Sequence, residues 1–95
     1  MLEHIVLAKF KAGVKGEQIA ELRKMLAALP ATIPEIKRYK FGEDVRPEKT
    51  FDFALVSTFE NEGAVKGYLD HPKHIIVAKY IRSLAASLQI MDFEY

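Results

Sequence analysis

The chain has 95 residues, of which 14 are basic and 13 acidic, giving a formal charge of +1, and it contains no cysteine. A single domain, residues 1–95, of this composition has neither the basic stripe that nucleic acid requires nor the ~20-residue apolar run that spans a bilayer. The lack of thiols excludes disulfides, thiolate metal sites and cysteine nucleophiles, which leaves tyrosine, histidine and the carboxylates as the reactive side chains.

The first half of the chain predicts a strand, a helix and two further strands. Residues 2–10 have the pattern of a strand, and apolar residues at helical spacing then predict an amphipathic helix that runs to Pro30 and Pro34. Segments 36–45 and 51–60 are predicted strands, and RPEKT between them is typical of a turn.

The second half predicts two short helices and a last strand. Asn61 can cap a helix that carries Tyr68, and Pro72 opens another helix. The apolar side of that second helix is predicted to consist of Ile75, Ala78, Ile81 and Leu84. Residues 88–95 form the predicted fourth strand. The order βαββ(αα)β predicts an α+β, ferredoxin-like sandwich, with a four-stranded antiparallel sheet and helices on one face.

Both faces of the predicted sheet are apolar. On the first strand Val6 alternates with Ile5, and on the third strand Phe53 alternates with Val56. Because one layer of helices covers only one face, we expect a second copy to pack on the other, so that two sheets form an α/β barrel with Phe53 on the partner-facing side. The alternative is a monomer whose second face is made half-polar by Arg38, Lys40, Asp52 and Thr58.

The segment GYLDHPKH, residues 67–74, contains a tyrosine and two of the three histidines. Pro72 places His74 in the first turn of a helix, where the helix dipole disfavours a protonated imidazole. A neutral His74 can remove a proton next to a carbonyl, while Tyr68 hydrogen-bonds the oxyanion that forms. The alternative is that Tyr68 is a core aromatic and His74 a surface residue.

The two histidines of this segment do not share a helix face. A residue before proline stays extended and near solvent, so His71 is predicted to be a polar helix cap. A metal site would need a third ligand, such as Asp70 or Asp92, and nothing in the spacing brings one to them. We therefore predict no metal site.

His4 lies on the same strand face as Val6, either inside a barrel or beneath the helices. In an antiparallel sheet the beginning of the first strand lies beside the end of the last, which would bring Asp92 close enough to orient His4. The alternative is a hydrogen-bonded histidine at a strand end with no functional role.

Three short motifs, HIVLAKFK, GYLDHPKH and MDFE, together resemble the stress-responsive dimeric A/B barrel family over essentially the whole chain. The resemblance implies a homodimeric ferredoxin-like barrel. In a plant member that closes a linear polyketide by an aldol-type condensation, a catalytic tyrosine and histidine match Tyr68 and His74. Its cavity histidine matches His4, an acidic residue on its last strand matches Asp92, and Phe53 stands where it has another histidine.

These observations predict a cytoplasmic homodimer that binds a small organic molecule in an apolar barrel cavity, without cofactor or metal. The predicted catalytic residues are His74 and Tyr68, and the predicted substrate-binding residues are His4, Val6, Phe53 and Asp92. Such a protein would be a cyclase or isomerase of carbonyl compounds. The alternatives are a non-catalytic stress-associated protein that acts by self-association, and a cofactor-free monooxygenase. An open cavity favours the enzyme, and a filled one favours the structural role.

Overall fold

The computed structural model describes all residues from Met1 to Tyr95. Its elements in chain order are β1 (Leu2–Phe10), α1 (Gly16–Thr32), β2 (Arg38–Glu43), β3 (Phe53–Phe59), α2 (Glu62–Asp70), α3 (Pro72–Leu84) and β4 (Ala85–Glu94). The four strands form one sheet in the order β2-β3-β1-β4, and all neighbouring strands are antiparallel. The predicted α+β, ferredoxin-like sandwich is confirmed. No helix is both long enough and apolar enough to cross a membrane.

Several element ends differ from the sequence prediction, and β2 and β3 are each shorter than the predicted segments 36–45 and 51–60. Helix α1 continues through Pro30 to Thr32. A proline this close to the end removes one helical hydrogen bond, and the helix still closes because the Ile33 N–H donates to the Leu29 carbonyl at 2.9 Å. Strand β4 begins at Ala85, directly after α3, and so includes three residues before the predicted start.

Side-chain caps fix the two short helices in place. The Asn61 side chain accepts a hydrogen bond from the Ala64 N–H at 2.9 Å, as its position before α2 predicts. His71 has extended backbone angles and both ends α2 and begins α3. Its N–H donates to the Tyr68 carbonyl at 3.2 Å, and its Nδ1 accepts from the Lys73 N–H at 3.1 Å. The prediction that His71 is a cap is confirmed.

The core lies between the sheet and the three helices. Phe53 is 2% exposed in this layer, on the same sheet face as Ala8, its partner in β1. Its predicted place on the partner-facing side is therefore wrong. The alternation of side chains separates the two faces of a strand, but when both faces are apolar it does not show which one the helices cover.

The opposite face of the sheet has no helix over it. Ile5, Leu7 and Val56 are only half-buried there, and Met91 and Phe93 on β4 are exposed. We call these five residues the open face. It is the apolar second face that the sequence predicts, although it is formed by the other set of alternating residues.

Helix α3 is rotated from its predicted orientation. Val77 is 5% exposed and packs in the core, together with Ile81 and Leu84, whereas Ile75 is 42% exposed. Ile75 was therefore wrongly assigned to the apolar side. A helical pattern with isoleucines at adjacent positions fits two orientations of the helix, and contact with the sheet selects one of them.

Candidate functional site

A pocket of about 80 Å³ lies between the sheet and helices α2 and α3. Most of its lining is apolar, and it includes Val6 as predicted. Its polar side chains are His4, Tyr68, His74 and Arg82. A larger depression of about 420 Å³ lies outside, between α2 and the end of β4, but neither Tyr68 nor a histidine lines it. We take the smaller pocket as the candidate site because several proton-transferring groups converge there.

The pocket belongs to one chain and is not enclosed between two sheets. The sequence left open whether His4 points into a barrel or beneath the helices, and it lies beneath them at 3% exposure. The predicted site residues that share a pocket, His4, Val6, Tyr68 and His74, thus lie between the sheet and the helices of a single copy. Phe53, although buried on the same sheet face, does not line it.

Tyr68 is held by aromatic packing and by one hydrogen bond. Its ring centroid lies 4.3 Å from that of His74 and 5.0 Å from that of Phe59. Its hydroxyl oxygen lies 2.6 Å from the hydroxyl oxygen of Tyr39 on β2. The side chain is therefore fixed at the point where α2 meets the sheet.

Burial raises the pKa of Tyr68 to about 12, and the hydrogen bond from Tyr39 partly opposes this rise. Burial also raises the pKa of Tyr39, and its hydrogen bond to Tyr68 adds to the effect. Either hydroxyl of this pair can be the donor. When Tyr39 donates, the proton of Tyr68 is free to be donated to a molecule in the pocket.

His74 is fixed in one tautomer by the backbone. Its Nδ1 lies 3.1 Å from the Leu69 carbonyl oxygen. A carbonyl oxygen only accepts, so Nδ1 carries the hydrogen and, in the neutral ring, Nε2 carries the lone pair. Every buried side-chain nitrogen and oxygen has a hydrogen-bond partner. Since Nε2 of His74 forms no hydrogen bond with the protein, this nitrogen must be accessible.

The pKa of His74 is lowered, chiefly by burial, and its electrostatic interactions with His4, Arg82 and His71 lower it further. The hydrogen bond to Leu69 acts in the opposite direction. The predicted neutral state is thus supported, and burial is its main cause. A neutral imidazole with a free Nε2 can act as a general base.

His4 is oriented by a carboxylate, as the strand order predicts. Its Nδ1 lies 2.5 Å from Oδ1 of Asp92, its partner on β4, and the Ser57 hydroxyl donates to the His4 carbonyl at 3.1 Å. The imidazole of His4 lines the pocket, whereas Asp92 is 42% exposed and lines the outer depression. Asp92 therefore acts on the pocket only through His4.

The structure thus brings together Tyr68, His74, His4 and Val6, and leaves Phe53, Asp92 and the cap residue His71 outside the pocket lining. Sequence reasoning missed two residues, Tyr39 and Arg82. Tyr39 reaches Tyr68 only through the strand register, which no spacing in the sequence reveals. Arg82 lies eight residues after His74, so a helical projection could have found it. No group of three or more histidine, aspartate and glutamate side chains is arranged to hold a metal ion.

Comparison with known proteins identifies relatives over nearly the whole chain. The model of the stress responsive A/B barrel domain matches residues 2–95. The stress-response A/B barrel domain-containing protein HS1 of Arabidopsis thaliana is 33% identical over 96 residues, covering 98% of this chain and 88% of its own length. Olivetolic acid cyclase of Cannabis sativa is 28% identical over 95 residues, covering 97% and 94%.

A solved structure shares the same architecture. It is a dimeric ferredoxin-like protein of unknown function from Thermobifida fusca, with a TM-score of 0.91 and 32% sequence identity. The match covers 99% of this chain and 90% of that one.

Proposed function

The chain belongs to the stress-responsive A/B barrel domain family, and we propose that it is a cofactor-free acid–base enzyme that enolises a small carbonyl compound. The observation that carries this proposal is the fixed tautomer of His74, whose Nδ1–H is held by the Leu69 carbonyl while Nε2 is free. The similarity to olivetolic acid cyclase supports the same class of chemistry.

The proposed reaction begins with a carbonyl oxygen that accepts a hydrogen bond from Tyr68. Nε2 of His74 takes a proton from the neighbouring carbon, the electron pair of that C–H bond forms a carbon–carbon double bond, and the π pair of the carbonyl moves onto its oxygen. Tyr68, which the raised pKa keeps protonated, stabilises the resulting enolate. His4 adds a second polar group, oriented by Asp92, in an otherwise apolar pocket.

Two products are compatible with this enolate. The imidazolium of His74 can return its proton to a different carbon, which isomerises the substrate. Alternatively the enolate carbon attacks a second carbonyl of the same molecule, the new alkoxide takes the proton from His74, and a ring closes by aldol addition. Both routes restore neutral His74 and need no external reagent.

We also propose that the protein is a homodimer that associates through its open face. Ile5, Leu7, Val56, Met91 and Phe93 form a continuous apolar surface of the kind that soluble monomers rarely expose. The dimeric state of the Thermobifida fusca relative supports the same assembly. The pocket lies on the other side of the sheet, so each copy would hold its own site.

Proton exchange tests the enzymatic proposal without knowledge of the natural substrate. We expect the protein in D₂O to accelerate loss of the α-proton signal from small aryl ketones or β-keto amides, followed by proton NMR. His74→Gln should lower this rate about 100-fold or more, because it removes the base. Tyr68→Phe should also lower it, and the double change should cost much less than the product of the two single effects.

His71→Gln is the matched control, because it changes a histidine of the same segment that lies outside the pocket. Its exchange rate should equal that of the unchanged protein. An unchanged rate in His74→Gln, or no acceleration of any compound by the unchanged protein, would contradict the proposal.

A second candidate function is self-association without catalysis. Tyr68 is 1% exposed and the pocket is small, as a packed interior would require, while the open face is free to bind another copy. The similarity to the stress-response protein HS1 is compatible with such a role. A dimer that binds none of the ketones and accelerates no exchange would favour this candidate.

A further inference from the structure

Arg82 is the single permanently charged side chain that lines the pocket. The other polar groups there are His4, Tyr68 and His74, and each of these can be neutral. The carboxylate of Asp92 contacts His4 and lines the outer depression, not the pocket. The pocket thus has one positive charge and no negative charge of its own.

Arg82 is solvent-exposed at the pocket edge, and its guanidinium forms neither a salt bridge nor a hydrogen bond within the chain. Arg82 lies in the last turn of α3, where a cation also interacts favourably with the helix dipole. The charge of Arg82 also acts within the pocket, because it contributes to the lowered pKa of His74, of which burial is the main cause.

The side of α3 that lines the pocket is an apolar strip with a polar residue at each end. His74 lies at one end and Arg82 at the other, eight residues further on, which is about 12 Å along the axis at ~1.5 Å per residue. The small residue Ala78 lies between them, and Leu88 and Ile90 of β4 line the same pocket. The lining between the two polar ends is therefore apolar.

We propose that the substrate is a keto acid, whose carbonyl lies at Tyr68 and His74 and whose carboxylate binds Arg82. This rests on the proposed function only in taking the same pocket as the binding site. The planar guanidinium offers two parallel N–H groups that match the two oxygens of a carboxylate. One arginine balances one negative charge, whereas a phosphate would bring a second charge and the pocket has no second permanent cation to balance it.

A pair of matched ligands tests this proposal. 4-Acetylbenzoate and 4-acetylbenzamide have the same shape and the same ketone, and differ in the charge at the far end. We expect calorimetric titration at low ionic strength to show the benzoate binding about fivefold more tightly, the effect of one partly exposed ion pair. Added salt should reduce the difference.

Variants of α3 locate the effect. Arg82→Gln should remove the preference, and Arg82→Lys should keep part of it because the charge stays while the planar fork is lost. Lys79→Gln removes a neighbouring cation that does not line the pocket, so the preference should be unchanged. Ala78→Leu should fill the space between His74 and Arg82 and weaken binding of both ligands.

Three outcomes would overturn the proposal: equal binding of the two ligands, a preference that survives in Arg82→Gln, or no binding of either ligand to the folded protein. The same titrations in His74→Gln separate this proposal from the enzymatic one. A carboxylate preference that persists there, in a protein that never catalyses proton exchange, would sustain the site and refute the catalysis.

Discussion

The two faces of the sheet are formed by alternate residues of the same strands, yet they hold different kinds of side chains. On the helix-covered face, polar groups occur inside the core and each has a partner, as His4 has Asp92 and Tyr39 has Tyr68. The open face carries an apolar centre formed by Ile5 and its neighbours, and its polar contact lies towards one end, where the Thr58 hydroxyl donates to the Glu3 carboxylate at 2.6 Å. Polar groups are tolerated in a core only where each of them has a hydrogen-bond partner. One face is therefore suited to chemistry and the other to association.

The largest expected effect comes from placing the same charge on each face. Phe53→Glu buries an unpaired carboxylate beneath the helices, which should cost several kcal/mol and prevent folding. Ile5→Glu places it on the open face, opposite Val56 and Met91. That variant should fold but remain a monomer, as judged by circular dichroism and sedimentation.

Ile76→Glu is the matched control, because Ile76 is 55% exposed on the outer side of α3. It should alter neither folding nor mass. A dimer that survives Ile5→Glu would show that the open face does not mediate association.

The element order, the cap at His71 and the pairing of His4 with Asp92 could all be predicted, because each follows from local patterns or from the position of strand ends. The side of the sheet that bears Phe53 could not, because both faces are apolar and only the packed helices decide between them. The contact between Tyr39 and Tyr68 depends on the strand register and on the placement of α2. Neither is encoded in the spacing of residues 29 positions apart.

Loss of a single charge at the edge of the helix-covered face should also lower the stability of the protein. Asp92→Asn keeps the shape of the side chain but replaces the ionic acceptor of the His4 Nδ1–H. Because Asp92 is 42% exposed, we expect a loss of only about 1 kcal/mol in the free energy of unfolding, measured in urea. Glu94→Gln, also on β4, should change it less. Equal effects of the two changes would mean that the contact with His4 contributes nothing specific.

A smaller effect is expected at the joint between α2 and α3. His71→Ala removes the side chain that accepts from the Lys73 N–H, and loss of such a cap costs about 1 kcal/mol or less. Thermal unfolding should show a modest decrease in midpoint, while association is unchanged. A collapse of the fold in this variant would indicate that His71 does more than cap the helix.

The smallest expected effect is a pH dependence of the free energy of unfolding that comes from His74, on the helix-covered side of the sheet. The folded state lowers the pKa of His74, chiefly by burial, so the unfolded chain binds its proton first, near pH 6.5. As pH falls below that value the unfolded state holds more protons, and the free energy of unfolding decreases. Above it, His74 is neutral in both states and contributes no slope.

His74→Gln should therefore flatten the acid side of the stability profile, measured by urea unfolding at a series of pH values. His4, His71 and Arg82, which act on His74, are present in both proteins, so the comparison isolates the contribution of His74. A steeper acid decline in the variant would contradict the sign of the shift.

The shared joint at His71 fixes the spacing between Tyr68 and His74 along the chain. Tyr68 belongs to the last turn of α2 and His74 to the first turn of α3, and one residue is the end of both helices. A single residue inserted between Tyr68 and that joint would turn the tyrosine by about 100° around the helix axis, away from the imidazole. Both helices would still form after the insertion, but the rings of Tyr68 and His74 would no longer be in contact. The interval from Tyr68 to His74 is thus a fixed length, so in divergent relatives the count of residues between the two is as informative as their identities.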